Sequence, residues 1–153
     1  MVRRLLYSWL PMQSSLSHQR SKSSELDIKS ILLVDDDVEL ADALKALLES
    51  HNFVVTTAGN GLEALREVMD LDFDVIICDM VMPSLPGDMF YIAVKKIKPH
   101  LCDRFLFITG HSDNPRVDEF LKKTNGLVLI KPVLTEELVP MISEILNRTA
   151  SAS

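Results

Sequence analysis

The stretch "ILLVDDDVEL", residues 31–40, decides how the fold is read. Ile31, Leu32, Leu33 and Val34 form an apolar run with no polar alternation, as expected of a strand buried on both faces of a parallel sheet. The run ends abruptly in Asp35, Asp36 and Asp37, with no basic residue between them. Two carboxylates about 4 Å apart at an effective dielectric of about 20 repel by about 4 kcal/mol. A chain that crowds anions at the end of a buried strand must hold a cation there or leave them in water.

Outward from this stretch the same design repeats. Further apolar runs are "FVVTTA" (53–58), "FDVIIC" (73–78), "RFLFIT" (104–109) and "LVLI" (127–130). Segments with helical spacing lie between them. Leu40, Leu44, Leu47 and Leu48 share one helix face, and the same spacing sets Leu62, Leu65 and Met69 together. Phe90, Val94 and Ile97 form a third face; Leu138, Met141, Ile142 and Ile145 form the last. "GNG" at 59–61 separates a strand from a helix, and "NP" at 114–115 reads as an N-cap with proline at the first helical position. Asp37 reads as the N-cap of the helix beginning near Val38. Pro140 lies past the first residue of the last helix, where an early kink is expected.

Strands alternating with helices imply a parallel sheet covered on both faces, an α/β fold. Ligands of such sheets bind beyond the carboxyl ends of the strands, at a switch point in strand order. The residues expected there are Asp35 and Asp36, Asp79, Thr109 with Gly110, and Lys131 followed by Pro132. Three carboxylates offering only oxygen suit Mg²⁺, which keeps several waters and takes one or two carboxylates plus a phosphate. Asp79 is then the candidate to accept a phosphoryl group covalently. Such a transfer needs positioning and charge stabilisation, from the metal, Lys131 and the Thr109 hydroxyl, and no general base.

The bounds agree with this reading. At 153 residues there is room for one domain with a proper core. A formal net charge of −6 argues against a nucleic-acid partner, which needs a basic face. No uninterrupted apolar run reaches the ~18 residues of a membrane span. Cys78 and Cys102 lack metal-type spacing, so a reducing, cytoplasmic setting is the simpler one, with Cys78 a small core residue. "MVRRLLYSWLPMQ" (1–13) has a basic start, but Pro11 breaks its apolar patch and no small-residue cleavage site follows. With the Ser-rich "SSLSHQRSKSSELD" (14–27), it marks residues 1–28 as a disordered extension outside the fold. The "KKIKPH" cluster (95–100) reads as a solvated helix end, and His111 as an exposed loop histidine.

Residues 29–148 resemble a receiver domain of the two-component response-regulator family. The motifs that carry the resemblance are "LLVDDD" (32–37), "NGLEAL" (60–65), "VIICDMVMPSLPG" (75–87), "FLFITG" (105–110) and "LIKP" (129–132). The resemblance implies a doubly wound, flavodoxin-like five-stranded sheet of order 2-1-3-4-5 with five helices. It implies Asp79 as phosphoacceptor, and Asp36, Asp79 and the Val81 backbone carbonyl as ligands of Mg²⁺ or Mn²⁺, with Asp35 acting mainly through water. Thr109 would be the switch hydroxyl beside Gly110, and Lys131 would stabilise the phosphoryl group. Pro132, Pro83 and Gly87 would support the motifs, through a cis peptide or a tight turn. The implied partners are a histidine kinase or histidine phosphotransfer protein and a downstream protein bound through the fourth helix, fifth strand and fifth helix. The chain would be a phosphorylated signalling domain rather than an enzyme, and a stand-alone one, since only a short tail (149–153) lies beyond the domain.

Two departures bear on the switch. Receivers commonly place Tyr or Phe three residues before the lysine; here that residue is Val128. Val81, two residues after Asp79, cannot orient an attacking water, so slow loss of the phosphoryl group is expected. Val128 also supports an alternative, a receiver-like interaction module that never needs phosphorylation. An aspartyl-nucleophile hydrolase would need a second aspartate two residues after Asp79, where Val81 stands.

Overall fold

The apolar runs form strands whose alternate side chains point to opposite sides of one sheet, and helices cover both sides. The computed structural model describes residues 27–110, 113–124 and 126–151. Strands β1 (Ser30–Val34), β2 (Val54–Ala58), β3 (Val75–Asp79), β4 (Phe105–Thr109) and β5 (Leu127–Ile130) are all parallel and lie in the order β2-β1-β3-β4-β5. Helices α1 (Val38–Ser50), α2 (Gly61–Asp70), α3 (Gly87–Ile97), α4 (Pro115–Lys123) and α5 (Thr135–Ala150) connect and follow them, and a 3-10 turn (Pro99–Arg104) precedes β4.

The period of two sorts each run into two cores. Leu32, Val34, Ile76, Cys78, Phe105 and Phe107 pack with Ala64, Val68, Phe90, Val94 and Val117 of α2, α3 and α4. Ile31, Leu33, Val75, Ile77, Leu106 and Ile108 pack with Ala41, Leu44 and Leu48 of α1 and Leu138, Ile142 and Ile145 of α5. Each of the larger side chains among them, Val, Leu, Ile or Phe, contributes about 1.5–3 kcal/mol when fully buried. Caps fix the helix starts. Asp37 Oδ1 accepts from the Leu40 N–H at 3.1 Å, Asn60 Oδ1 from the Glu63 N–H at 2.9 Å, and Asn114 Oδ1 from the Arg116 N–H at 3.1 Å.

The structure corrects the expected face of α2. Leu62 and Met69 are exposed, Leu65 is half-buried, and the core face is Gly61, Ala64 and Val68. The reason is close packing: a Cβ on Gly61 would lie 2.3 Å from the Leu85 carbonyl oxygen. Small residues therefore face inward, and the larger ones flank the contact. Ile97, at the end of α3, is also exposed, unlike Phe90 and Val94. Helix α5 continues through Pro140 and on to Ala150, past the expected boundary at 148. Lys98 and His100 are not merely solvated: Nζ and Nε2 lie 2.8 Å from the two carboxylate oxygens of Asp72. This pairing, Lys98 first and then His100, holds the Asp72 pKa below its usual value. No helix among the described residues is long and apolar enough to cross a membrane. The expected extension, residues 1–28, lies outside the described residues except for Asp27 and Ile28.

Candidate functional site

The strand order reverses between β1 and β3, and the register brings their ends level. Val34 pairs with Cys78, Asp79 with Ile108, and Thr109 with Ile130. Asp35 and Asp79 therefore sit side by side at the switch point, where α/β sheets bind ligands. Thr109 and Lys131 follow from the neighbouring strands, and the Lys131 N–H donates to the Thr109 carbonyl at 2.8 Å.

The three consecutive aspartates differ in role. Asp37 caps α1. Asp36 is exposed. Asp35 is only 2% exposed; its Oδ1 accepts from the Asp37 N–H at 2.8 Å. Asp35 Oδ2 is the one buried side-chain polar atom among the described residues without a hydrogen-bond partner. Burial raises the Asp35 pKa first of all. The charges of Asp79 and Asp36 add to this, against the Asp37 N–H and Lys131.

Asp79 is 4% exposed. The Lys131 Nζ donates to its Oδ2 at 2.8 Å and lies 3.9 Å from Asp35 Oδ2; the Val81 N–H donates to its Oδ1 at 3.1 Å. Burial pulls the Lys131 pKa down, but the bond to Asp79 and the charges of Asp79, Asp35 and Asp36 outweigh it and leave it raised. Asp35, Asp36 and Asp79 each offer a carboxylate oxygen, all within 4.8 Å of one another.

The supporting residues take different places. Thr109 is buried and its hydroxyl donates to the Gly110 carbonyl at 3.0 Å. A Cβ on Gly110 would meet nothing within 4 Å, so space does not dictate that glycine. The Lys131–Pro132 peptide is cis, and Pro83 is exposed in the loop after β3. Val128 is half-buried against the aromatic core. His111 lies outside the described residues.

Gly87 is required by close approach. Its N–H donates to the Met80 carbonyl at 3.1 Å, and a Cβ there would lie 2.5 Å from the Asp79 carbonyl oxygen and 2.9 Å from Met80 Cα. Both obstacles are backbone and cannot swing aside. Gly87→Ala is therefore expected to destabilise the fold by about 1–3 kcal/mol, the usual range for overpacking. Urea unfolding would show it as a lower midpoint at unchanged slope; an unaltered midpoint would contradict the contact.

The donor set fits a hard divalent cation. It is all oxygen, it carries excess negative charge, and the orphaned Asp35 Oδ2 lacks the partner that a cation or its water would supply.

A doubly wound sheet with an acidic cup and a lysine at its switch point defines a class, the receiver. Residues 31–143 match the family model described as response regulator receiver domain. Curated relatives include the transcriptional regulatory protein CpxR homolog of Haemophilus influenzae, 35% identical over 128 residues, which are 82% of this chain and 54% of that one. Another is the transcriptional regulatory protein ZraR of Klebsiella oxytoca, 34% identical over 119 residues, 78% of this chain and 26% of that one. The chain thus spans about half the length of the first relative and about a quarter of the second. Among solved structures, a response regulator receiver domain protein from Clostridium thermocellum superposes with a TM-score of 0.75 at 32% identity, covering 82% of this chain and all of that one. The chemotaxis protein CheY4 of Vibrio cholerae gives a TM-score of 0.69 at 28% identity, covering 78% of this chain and 99% of that one. The chain belongs to the response regulator receiver domain family of two-component signalling.

Proposed function

We propose that this receiver accepts a phosphoryl group on Asp79 from a phosphohistidine donor, a histidine kinase or histidine phosphotransfer protein, in a Mg²⁺-dependent reaction. The observation that carries the reading is the Asp79 carboxylate, buried 2.8 Å from the Lys131 ammonium and within 4.8 Å of two further carboxylates. Asp35, Asp36, Asp79 and the Val81 carbonyl would hold the cation. When bound, it supplies positive charge that offsets repulsion between the carboxylates and the incoming phosphoryl oxygens.

An Asp79 carboxylate oxygen attacks phosphorus while the bond from phosphorus to the donor imidazole nitrogen breaks. The electron pair leaves with that nitrogen, and Asp79 becomes an acyl phosphate. Lys131 passes from the Asp79 carboxylate to a phosphoryl oxygen, and the Thr109 hydroxyl turns from the Gly110 carbonyl to another. This chemistry is the receiver's own modification, and the chain is a signalling domain rather than an enzyme. The free thiols of Cys78 and Cys102 suit a cytoplasmic setting.

The added charge biases a two-state equilibrium, and the surface of α4, β5 and α5 changes its affinity for a downstream protein. Exposed Val81, which has no polar side chain to orient water, favours a long-lived phosphoryl group. Decay of the phosphorylated protein is expected to take many minutes or longer; a lifetime of seconds would contradict this.

Val128 favours a second reading, a module that binds its partner without phosphorylation. Amide spectra recorded with Mg²⁺ and beryllofluoride, a phosphoryl mimic, separate the two. Shifts at Val81, Thr109 and along α4 are expected; an unchanged spectrum would leave the second reading.

A further inference from the structure

Helix α4 is lightly attached. Of its residues only Val117 is buried, with Phe120 and Leu121 half-buried. Beside its first turn, Met80, Val81, Met82 and Pro86 line a cavity of about 150 Å³, open to solvent and bordered on the other side by Asn114, Arg116 and Val117. The first turn of the helix thus borders open space, while Val117 and the Phe120 ring, 5.4 Å from those of Tyr91 and Phe107, hold the rest of it to the core.

Among the described residues, an ion pair crosses that cavity. Arg116 Nη2 lies 3.0 Å from Asp88 Oδ2, and the two side chains are unlike, the arginine 66% exposed and the aspartate 10%. Asp88 Oδ1 accepts from the Met89 N–H at 2.9 Å. An exposed ion pair contributes little. Here, however, loss of the arginine leaves a buried carboxylate without its counter-charge, and that loss is the larger effect. Lys123 and Glu119 supply the contrast. They are also paired, at 2.7 Å, but both are exposed and both lie on α4.

The position of Asp88 matters as much as its burial. It follows Gly87, which lies so near β3 that a Cβ there would come within 2.5 Å of the Asp79 carbonyl oxygen, and whose N–H donates to the Met80 carbonyl. A contiguous path therefore runs from Asp79 through Gly87 and Asp88 to Arg116 and α4, along one wall of the cavity. We propose that the Asp88–Arg116 ion pair is the latch that fixes α4 over this cavity and ties its position to the state of Asp79. The tie to Asp79 rests on the phosphoacceptor reading; the latch itself does not. Rearrangement of the loop after β3 withdraws the carboxylate from Arg116, and the cavity gives α4 room to move.

Backbone hydrogen exchange tests this in the full chain, with Arg116→Met, Asp88→Asn, the double variant and Lys123→Gln as control. Without any mimic, each single variant is expected to speed exchange over residues 115–123 by about fivefold or more. The double variant should exceed neither single by much, and the control and α1 should match wild type. Wild-type exchange of α4 in Arg116→Met would overturn the latch. With Mg²⁺ and beryllofluoride, wild type should show a shift at the Val81 amide and faster α4 exchange, whereas Arg116→Met keeps the first and loses the second. An equal α4 response in both proteins would overturn the latch while leaving the acceptor reading intact. No response at Val81 in wild type would overturn the acceptor reading, and with it the tie to Asp79, whatever α4 does.

Discussion

Asp35→Asn is expected to make the metal-free protein more stable and the metal site weaker at the same time. Asparagine keeps the oxygen that accepts from the Asp37 N–H, and it replaces the orphaned Oδ2 with an amide that can donate to the neighbouring carboxylates. Relief of a buried polar group without a partner is worth about 1–3 kcal/mol, which in a domain of this size raises the melting temperature by roughly 4–10 °C. The attraction of Lys131 at 3.9 Å opposes this, but the raised pKa of Asp35 shows that burial and like charge win. Mg²⁺ affinity should fall at least about tenfold, the lower range for disturbing a metal's supporting groups.

The sign of the pH dependence follows. A carboxyl whose folded pKa is raised binds its proton more readily in the folded state than in the unfolded one. Asp35 therefore destabilises the wild type fully above its folded pKa, and that penalty disappears as pH falls toward the ordinary value of 3.8. The gain from Asp35→Asn should be largest near neutral pH and vanish in acid. Thermal melts in chelator across this range would check it; a variant less stable than wild type at neutral pH would contradict the account.

Lys131→Met is expected to split two properties in opposite directions. The cup holds three carboxylates and one ammonium, a formal charge of −2 that becomes −3 without the lysine. Cation binding should tighten, because the amine 2.8 Å from Asp79 Oδ2 competes with a metal for the same electron density. Phosphoryl acceptance should fall by about 10²–10³, the usual loss when one stabilising donor is removed from developing anionic charge. Calorimetric Mg²⁺ titration and the rate of labelling by phosphoramidate measure the two. If metal binding weakened, or labelling were unaffected, Lys131 would not have the place given to it.

The sheet and the acidic cup were legible because one pattern served both. Unbroken apolar runs fixed parallel strands, and the residues after Val34, Cys78, Ile108 and Ile130 then had to meet at one edge. The face of α2 was not legible. Leu62 and Met69 are its most apolar periodic residues, yet they are exposed, and the loop after β3 approaches so closely at Leu85 that only glycine fits at Gly61. Periodicity ranks side chains by hydropathy and carries no information about the gap they fill. The ties from Asp72 to Lys98 and His100, and from Asp88 to Arg116, were equally hidden. Each joins elements that only the tertiary fold brings together, and neither has a spacing in the chain.

The most direct test is to incubate the protein with phosphoramidate and Mg²⁺, measure its intact mass and map the modified residue. One phosphoryl group is expected, on Asp79, absent without the metal and absent in Asp79→Asn. Phosphate on another residue, or equal uptake by Asp79→Asn, would contradict it.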